Sequence, residues 1–232
     1  MGTAMKTVIG AMLMTRRRTA TSSALVPSLA RSKSRASNLL IGLLAMTTLA
    51  GCATAPTGGA YLLPQTSDTA SRSVPRDAPL LEVMPVKLAS YLEGGSLVYQ
   101  TDDITLVQAS QNHWADDLQA MLTRQLLEQL KASPAIPLSS YRIADTRLSG
   151  LEGARLSVSL DRFIGRHDGQ SVITGRWRLR DSDGSVLDEG DIQTLTPLAD
   201  DGYPALVKSL GEGWNVVGDQ LAREIAEALP AR

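Results

Sequence analysis

The stretch ARLSVSLDRFIGRHDGQSVITGRWRLR (154–180) decides the fold. Leu156, Val158 and Leu160 alternate with polar residues, and Ile173, Gly175, Trp177 and Leu179 alternate with threonine and arginine. Side chains of a strand point to opposite faces in turn, so this period of two predicts two strands with one buried face each. Between them His167-Asp168-Gly169 forms a bend, where Asp and Gly tolerate positive φ. The pair is a long antiparallel hairpin, and Asp181 to Gly184 turns the chain into a third strand near 185–194.

Working back from the hairpin, SLVYQT (96–101) and ITLVQA (104–109) are β-rich runs separated by Asp102-Asp103, which predicts a second hairpin. Leu80 to Val86 reads as a strand, Tyr61 to Pro64 as a brief one, and the Pro/Ser-rich 66–79 as a loop. Apolar residues at 114, 118, 121, 122, 126 and 130 have helical spacing. Asn112 would cap that helix, and Asp116 and Asp117 suit the positive end of its dipole. A second helix begins near Pro204 and carries a stripe from Leu206 through Leu210, Trp214, Val217, Leu221 and Ile225 to Leu229. Gly211 and Gly213 weaken it and predict a bend. The expected fold class is therefore α+β: a largely antiparallel sheet with two amphipathic helices packed on one face, in a single domain.

The first 51 residues have a different character. They contain no acidic residue, and Arg31, Lys33 and Arg35 precede an apolar run from Leu39 to Ala50. Positive charge, a short apolar run and then small residues is the layout of a secretory signal, and the run falls short of the ~20 residues of a membrane span. Arg16-Arg17-Arg18 stands too far from the run to belong to it. The layout predicts a mis-assigned start codon and gives positions 1–30 no part in fold or function. Positions 1–51 form the leader and signal, and 52–60 a flexible tether of small residues reaching roughly 28 Å at most.

The single cysteine, Cys52, follows this run directly. One thiol cannot close an internal disulfide, and a metal site needs several soft ligands. Leu49-Ala50-Gly51-Cys52 resembles the lipobox of bacterial lipoproteins, in which the cysteine sulfur becomes the attachment point for acyl chains, palmitate among them, and the signal is cut before it. The neighbours favour this tether over a buried or incidental cysteine. Each buried CH₂ contributes ~0.8 kcal/mol, and several chains hold where one does not. Ala53 in place of Asp points to the outer membrane by the enteric sorting rule.

Cleavage there leaves 181 residues. The signal takes seven of the 23 basic residues with it, leaving 16 against 24 acidic and a net charge near −8. Such a body does not suit nucleic acid, whose phosphates require clustered Lys and Arg. Nor does it suit lying flat on anionic lipid.

Little in the chain suggests catalysis. His113 and His167 fall at an expected helix start and a bend, without partners at metal-ligand spacing. Asp102-Asp103 and Asp116-Asp117 could serve as carboxylate pairs, but turn and helix-dipole roles account for them more simply. No P-loop, GxSxG or GxGxxG occurs. No enzyme, cofactor or metal is expected; the one covalent group is the lipid on Cys52. Tyr91, Tyr99, Trp114, Trp177 and Trp214 supply most of the aromatic surface, either as interface anchors or as fill for a small core. Sheet edges offer β-augmentation.

YLLP (61–64), YLEGGSLVYQTDD (91–103), NHWADDL (112–118), FIGRHDG (163–169) and VITGRW (172–177) occur in this order behind the lipobox. Together they resemble the PqiC (YmbA) family, ABC-type transport auxiliary lipoproteins of the paraquat-inducible membrane-integrity system, with 61–232 as the family domain. The resemblance implies a non-enzymatic lipoprotein on the periplasmic side of the outer membrane. It also implies an inner-membrane-anchored MCE-domain tunnel protein (PqiB-like) as partner, and a homo-oligomeric ring. Tyr91, Tyr99 and Gln100, in the motif-rich 91–103 run, are the expected partner contacts. The alternative is a periplasmic lipid-binding carrier holding its ligand between helix and sheet.

Overall fold

The computed structural model describes residues 58–65, 73–135, 138–145 and 153–229. Cys52 and the signal lie outside the described residues, as do most of the tether and part of the 66–79 loop. Nine strands form one sheet: β1 (Gly59–Tyr61), β2 (Leu80–Val83), β3 (Lys87–Leu88), β4 (Ser96–Gln100), β5 (Leu106–Trp114), β6 (Arg142–Asp145), β7 (Gly153–Gly165), β8 (Gln170–Arg180) and β9 (Val186–Pro197). Two α-helices, α1 (Leu118–Ala132) and α2 (Tyr203–Ala228), complete the described domain.

Strand β7 organises the sheet. Along one edge it pairs antiparallel with β8, which pairs antiparallel with β9 in turn, as the alternating pattern predicts. Along its other edge lie β2, β3 and β4 in succession, all parallel to it, with Leu80 opposite Gly153, Lys87 opposite Ser159 and Tyr99 opposite Gly165. The sheet is thus mixed rather than purely antiparallel, since β1 also pairs parallel with β5, and β6 with β2. The expected strand from Leu80 to Val86 is split because Pro85 has no N–H for the ladder. The Met84 and Ala89 amides still donate to Leu156 and Leu160 (both 2.9 Å), so the segment follows β7 across the break.

Two boundaries differ from expectation. Strand β5 continues through Trp114, and α1 starts four residues later, capped by Asp117, whose carboxylate accepts from the Ala120 amide (2.7 Å). Asn112 caps nothing; its side-chain oxygen accepts from the Gly59 amide (3.2 Å) and the Tyr61 hydroxyl (3.1 Å), fastening β1 to β5. Helix α2 runs unbroken through Gly211 and Gly213, and both glycines are contact points. A side chain at Gly213 would press on Thr196 and Ile173, so its absence lets the helix sit directly on β8 and β9.

The core lies between helices and sheet. Leu118, Met121, Leu122, Leu126 and Leu130 of α1 are buried, as is the entire α2 stripe from Leu206 to Leu229. Phe163 links the layers, with ring centroids 6.0 Å from Trp114 and 6.4 Å from Trp214. All three tryptophans are buried, so they fill the core.

Candidate functional site

The two hairpins and the start of α2 meet at one end of the sheet. At the β4–β5 tip, the Asp102 carboxylate accepts from the Ile104 (2.9 Å) and Thr105 (2.8 Å) amides. The Ile104 bond first, and then those from Thr105, hold this carboxyl below the usual aspartate range. Ile104 itself is 92% exposed, an unusual position for a large apolar side chain. The β7–β8 tip lies alongside: His167 Nε2 is 3.2 Å from Asp103 Oδ1, while Gly169 makes the turn at φ 78°. Asp168 is in an ion pair with Arg166 (2.8 Å).

Of the residues expected to meet a partner, Tyr99 and Gln100 belong to this end. The Tyr99 ring meets Tyr203 edge-on at 6.0 Å, and burial, followed by a hydrogen bond with Tyr99, pushes the Tyr203 hydroxyl up. Gln100 donates to the Asp103 carbonyl (3.5 Å). Tyr91 sits elsewhere. It lies in a single 3-10 turn (Ser90–Leu92), and its hydroxyl donates to the Asp161 carbonyl (2.7 Å), four residues along β7 from the Gly165 that faces Tyr99. Burial raises the Tyr91 hydroxyl above its ordinary range, partly countered by Arg162.

The remaining polar candidates have structural partners. Asp117 is the helix cap, and Asp116 contacts Arg124 (3.6 Å). His113 lies on β5 rather than at a helix start, between Ser96 Oγ and the Ser110 carbonyl (both 3.2 Å).

A second feature has no counterpart in the sequence reading. Between α1, α2 and the segment after β1 lies a half-open cavity of about 890 Å³. Leu62, Leu63, Met121 and Ala222 supply apolar wall, while Arg124, Glu128, Asp219 and Arg223 supply charge. The expected ligand space lay between helix and sheet; this one lies between the helices. Its signal in the sequence is faint: positions 121, 125, 128 and 132 form a second stripe on α1 beside the buried one.

The sequence pattern of the family described as "ABC-type transport auxiliary lipoprotein component" matches residues 61–226. The chain belongs to this family. As an auxiliary lipoprotein it has relatives in Escherichia coli K12 and Shigella flexneri, each named intermembrane transport lipoprotein PqiC. Each is 31% identical over 178 residues, spanning 76% of this chain and 91% of the relative. The auxiliary lipoprotein is thus a PqiC-family member, as the ordered motifs implied. A crystal structure of an uncharacterised protein, also 31% identical, superposes with a TM-score of 0.61 over 73% of this chain and 99% of that one. A Xanthomonas campestris protein shares the fold at 14% identity (TM-score 0.57, 73% and 96% covered). The family is one of transport accessories, not of enzymes. No helix among the described residues of this lipoprotein is long and apolar enough to cross a membrane.

Proposed function

We propose that this lipoprotein is the docking and tethering subunit of an MCE-type intermembrane lipid transport system that maintains membrane integrity. Acyl chains on Cys52 hold it in the outer membrane, and the folded body faces the periplasm. There, copies assembled as a ring receive the far end of a PqiB-like tunnel. One observation carries this reading: a lipobox cysteine stands directly before a domain of a family whose enteric relatives are named intermembrane transport lipoproteins. The acidic body fits a protein held off the anionic surface by its anchor. Tyr99 and Gln100, together at the hairpin end with exposed Ile104, are the proposed contacts; Tyr91 is a further one, set back along β7.

The test is capture of the MCE protein by the acylated lipoprotein from solubilised membranes. The expected result is co-purification that Ile104→Asp or Gln100→Ala reduces, together with loss of outer-membrane fractionation in Cys52→Ser. Failure to capture the MCE protein, combined with intact membrane integrity in a deletion strain, removes the reading.

A further inference from the structure

The half-open cavity between α1 and α2 combines an apolar wall with charged side chains. Its volume of about 890 Å³ falls within the roughly 300–1,000 Å³ of small-ligand sites. Its apolar wall includes Leu62, which is 61% exposed at the mouth. A chain of methylenes laid along Leu62, Leu63, Met121 and Ala222 would remove that surface from water.

The polar lining carries both signs. Arg223 and Asp219 face the cavity from α2, and among the described residues neither is in an ion pair. Arg124 has only a loose contact with Asp116 (3.6 Å), whereas Glu128 is already held by Lys131 (3.1 Å). Two arginines suit a phosphate and one free carboxylate suits an amine. A purely anionic headgroup would leave Asp219 opposed, and a purely cationic one would leave Arg223 opposed. The helix walls also hold two amide oxygens, Gln125 Oε1 and Gln129 Oε1, that are buried without a donor. The nitrogens of both side chains are committed to Asn215, and that of Gln125 also to the Pro64 carbonyl. The end of the Gln129 side chain packs against Gly218, in the space a side chain there would take. Both amide oxygens are closed off from the cavity, so the headgroup would be read by the charged lining alone.

We propose that this cavity binds one zwitterionic phospholipid, its acyl chain on the Leu62–Met121–Ala222 wall, its phosphate at Arg223 and Arg124, and its amine at Asp219. The site does not depend on docking to an MCE protein, so it adds a lipid contact to the anchor that Cys52 provides.

The test uses the acylated lipoprotein reconstituted in vesicles doped with phosphatidylethanolamine bearing a photoreactive diazirine in its acyl chain. A parallel sample carries diazirine-phosphatidylglycerol. Labelled peptides are then mapped by mass spectrometry. The expected result is labelling of the peptides spanning 62–65 and 121–135 several-fold above those around exposed Val186, and stronger with the zwitterionic probe. Arg223→Glu and Leu62→Glu, both at exposed positions, should lower it several-fold without moving the melting temperature. Uniform or absent labelling overturns the proposal, as it would if a protein helix or a second copy filled the cavity. Equal labelling by the anionic probe, or labelling indifferent to both variants, overturns it too. Capture of the MCE protein is scored separately, so either reading can fail alone.

Discussion

Phe163 on β7 meets Trp214 on α2 edge-on, ring centroids 6.4 Å apart and planes at 85°. Trp214 is wholly buried, and Phe163 touches Trp114 on its other side, so one ring joins the β5 end, the central strand and the long helix. Truncating Trp214 to alanine leaves a cavity that neighbours held by β7 and β8 cannot collapse to fill. The expected cost of Trp214→Ala is about 3–5 kcal/mol, or a fall in Tm of roughly 6–20 °C for a domain of this size. Urea and thermal melts of variant and parent measure it. A loss under about 1 kcal/mol would mean that the two layers are not joined there.

Gly175 carries a prediction of opposite sign to the usual one. Replacing glycine by alanine commonly stabilises by ~0.4–1 kcal/mol, because the unfolded chain loses freedom. At Gly175 the added carbon would run into the Ser159 carbonyl and the Leu160 backbone, at the point where β7 shifts register against β8. Gly175→Ala is therefore expected to destabilise by about 1–3 kcal/mol through overpacking. Gly94→Ala, whose nearest neighbour would be Gln108 Oε1 at 3.9 Å, should be neutral or mildly stabilising. Chemical denaturation of the two variants side by side decides the matter; similar midpoints would remove the bulge contact from the account.

The caps of α1 give a paired test. Asp117→Ala removes the acceptor for the Ala120 amide and should cost about 0.5–2 kcal/mol, with faster hydrogen exchange in the first turn of the helix. Asn112→Ala should leave that turn protected and instead loosen β1, since its side chain serves Gly59 and Tyr61. Exchange rates at 118–121 and at 59–61 separate the two outcomes. Faster exchange at the helix start in Asn112→Ala would restore the cap that the sequence suggested.

That reversal shows where legibility ended. The long hairpin, the Asp102-Asp103 hairpin and the α2 stripe were legible because their periods repeat over many residues, and every stripe residue from Leu206 to Leu229 is buried. Trp114 was misread because a buried residue at a strand's end has the same apolar character as one on a helix face, and its spacing to Leu118 fits both. The parallel pairing of β2, β3 and β4 with β7 had no local signal at all. Register between segments some seventy residues apart is set by tertiary packing. At the candidate end, the motif run supplied Tyr99 and Gln100, but not that Tyr203 and His167 would join them. The cavity stayed hidden because its lining comes from two helices about ninety residues apart, each adding a few mixed side chains beside an ordinary apolar stripe.

The β4–β5 tip should be acid-sensitive. In the folded chain, donation from Ile104 and Thr105 stabilises the ionised Asp102 carboxylate, so its pKa lies below the ordinary 3.8. A group that ionises more readily folded than unfolded adds stability above its unfolded pKa and loses it as pH falls through the folded one. The expected observation is that the Ile104 and Thr105 amide resonances titrate together with a midpoint below 3.8, the tip remaining ordered until then. Asp102→Ala should abolish that titration and raise exchange at both amides at every pH, while the core stays protected. A midpoint at or above 3.8, or amides that do not follow the carboxylate, would show that the turn holds its shape without Asp102 and that Ile104 is presented by other means.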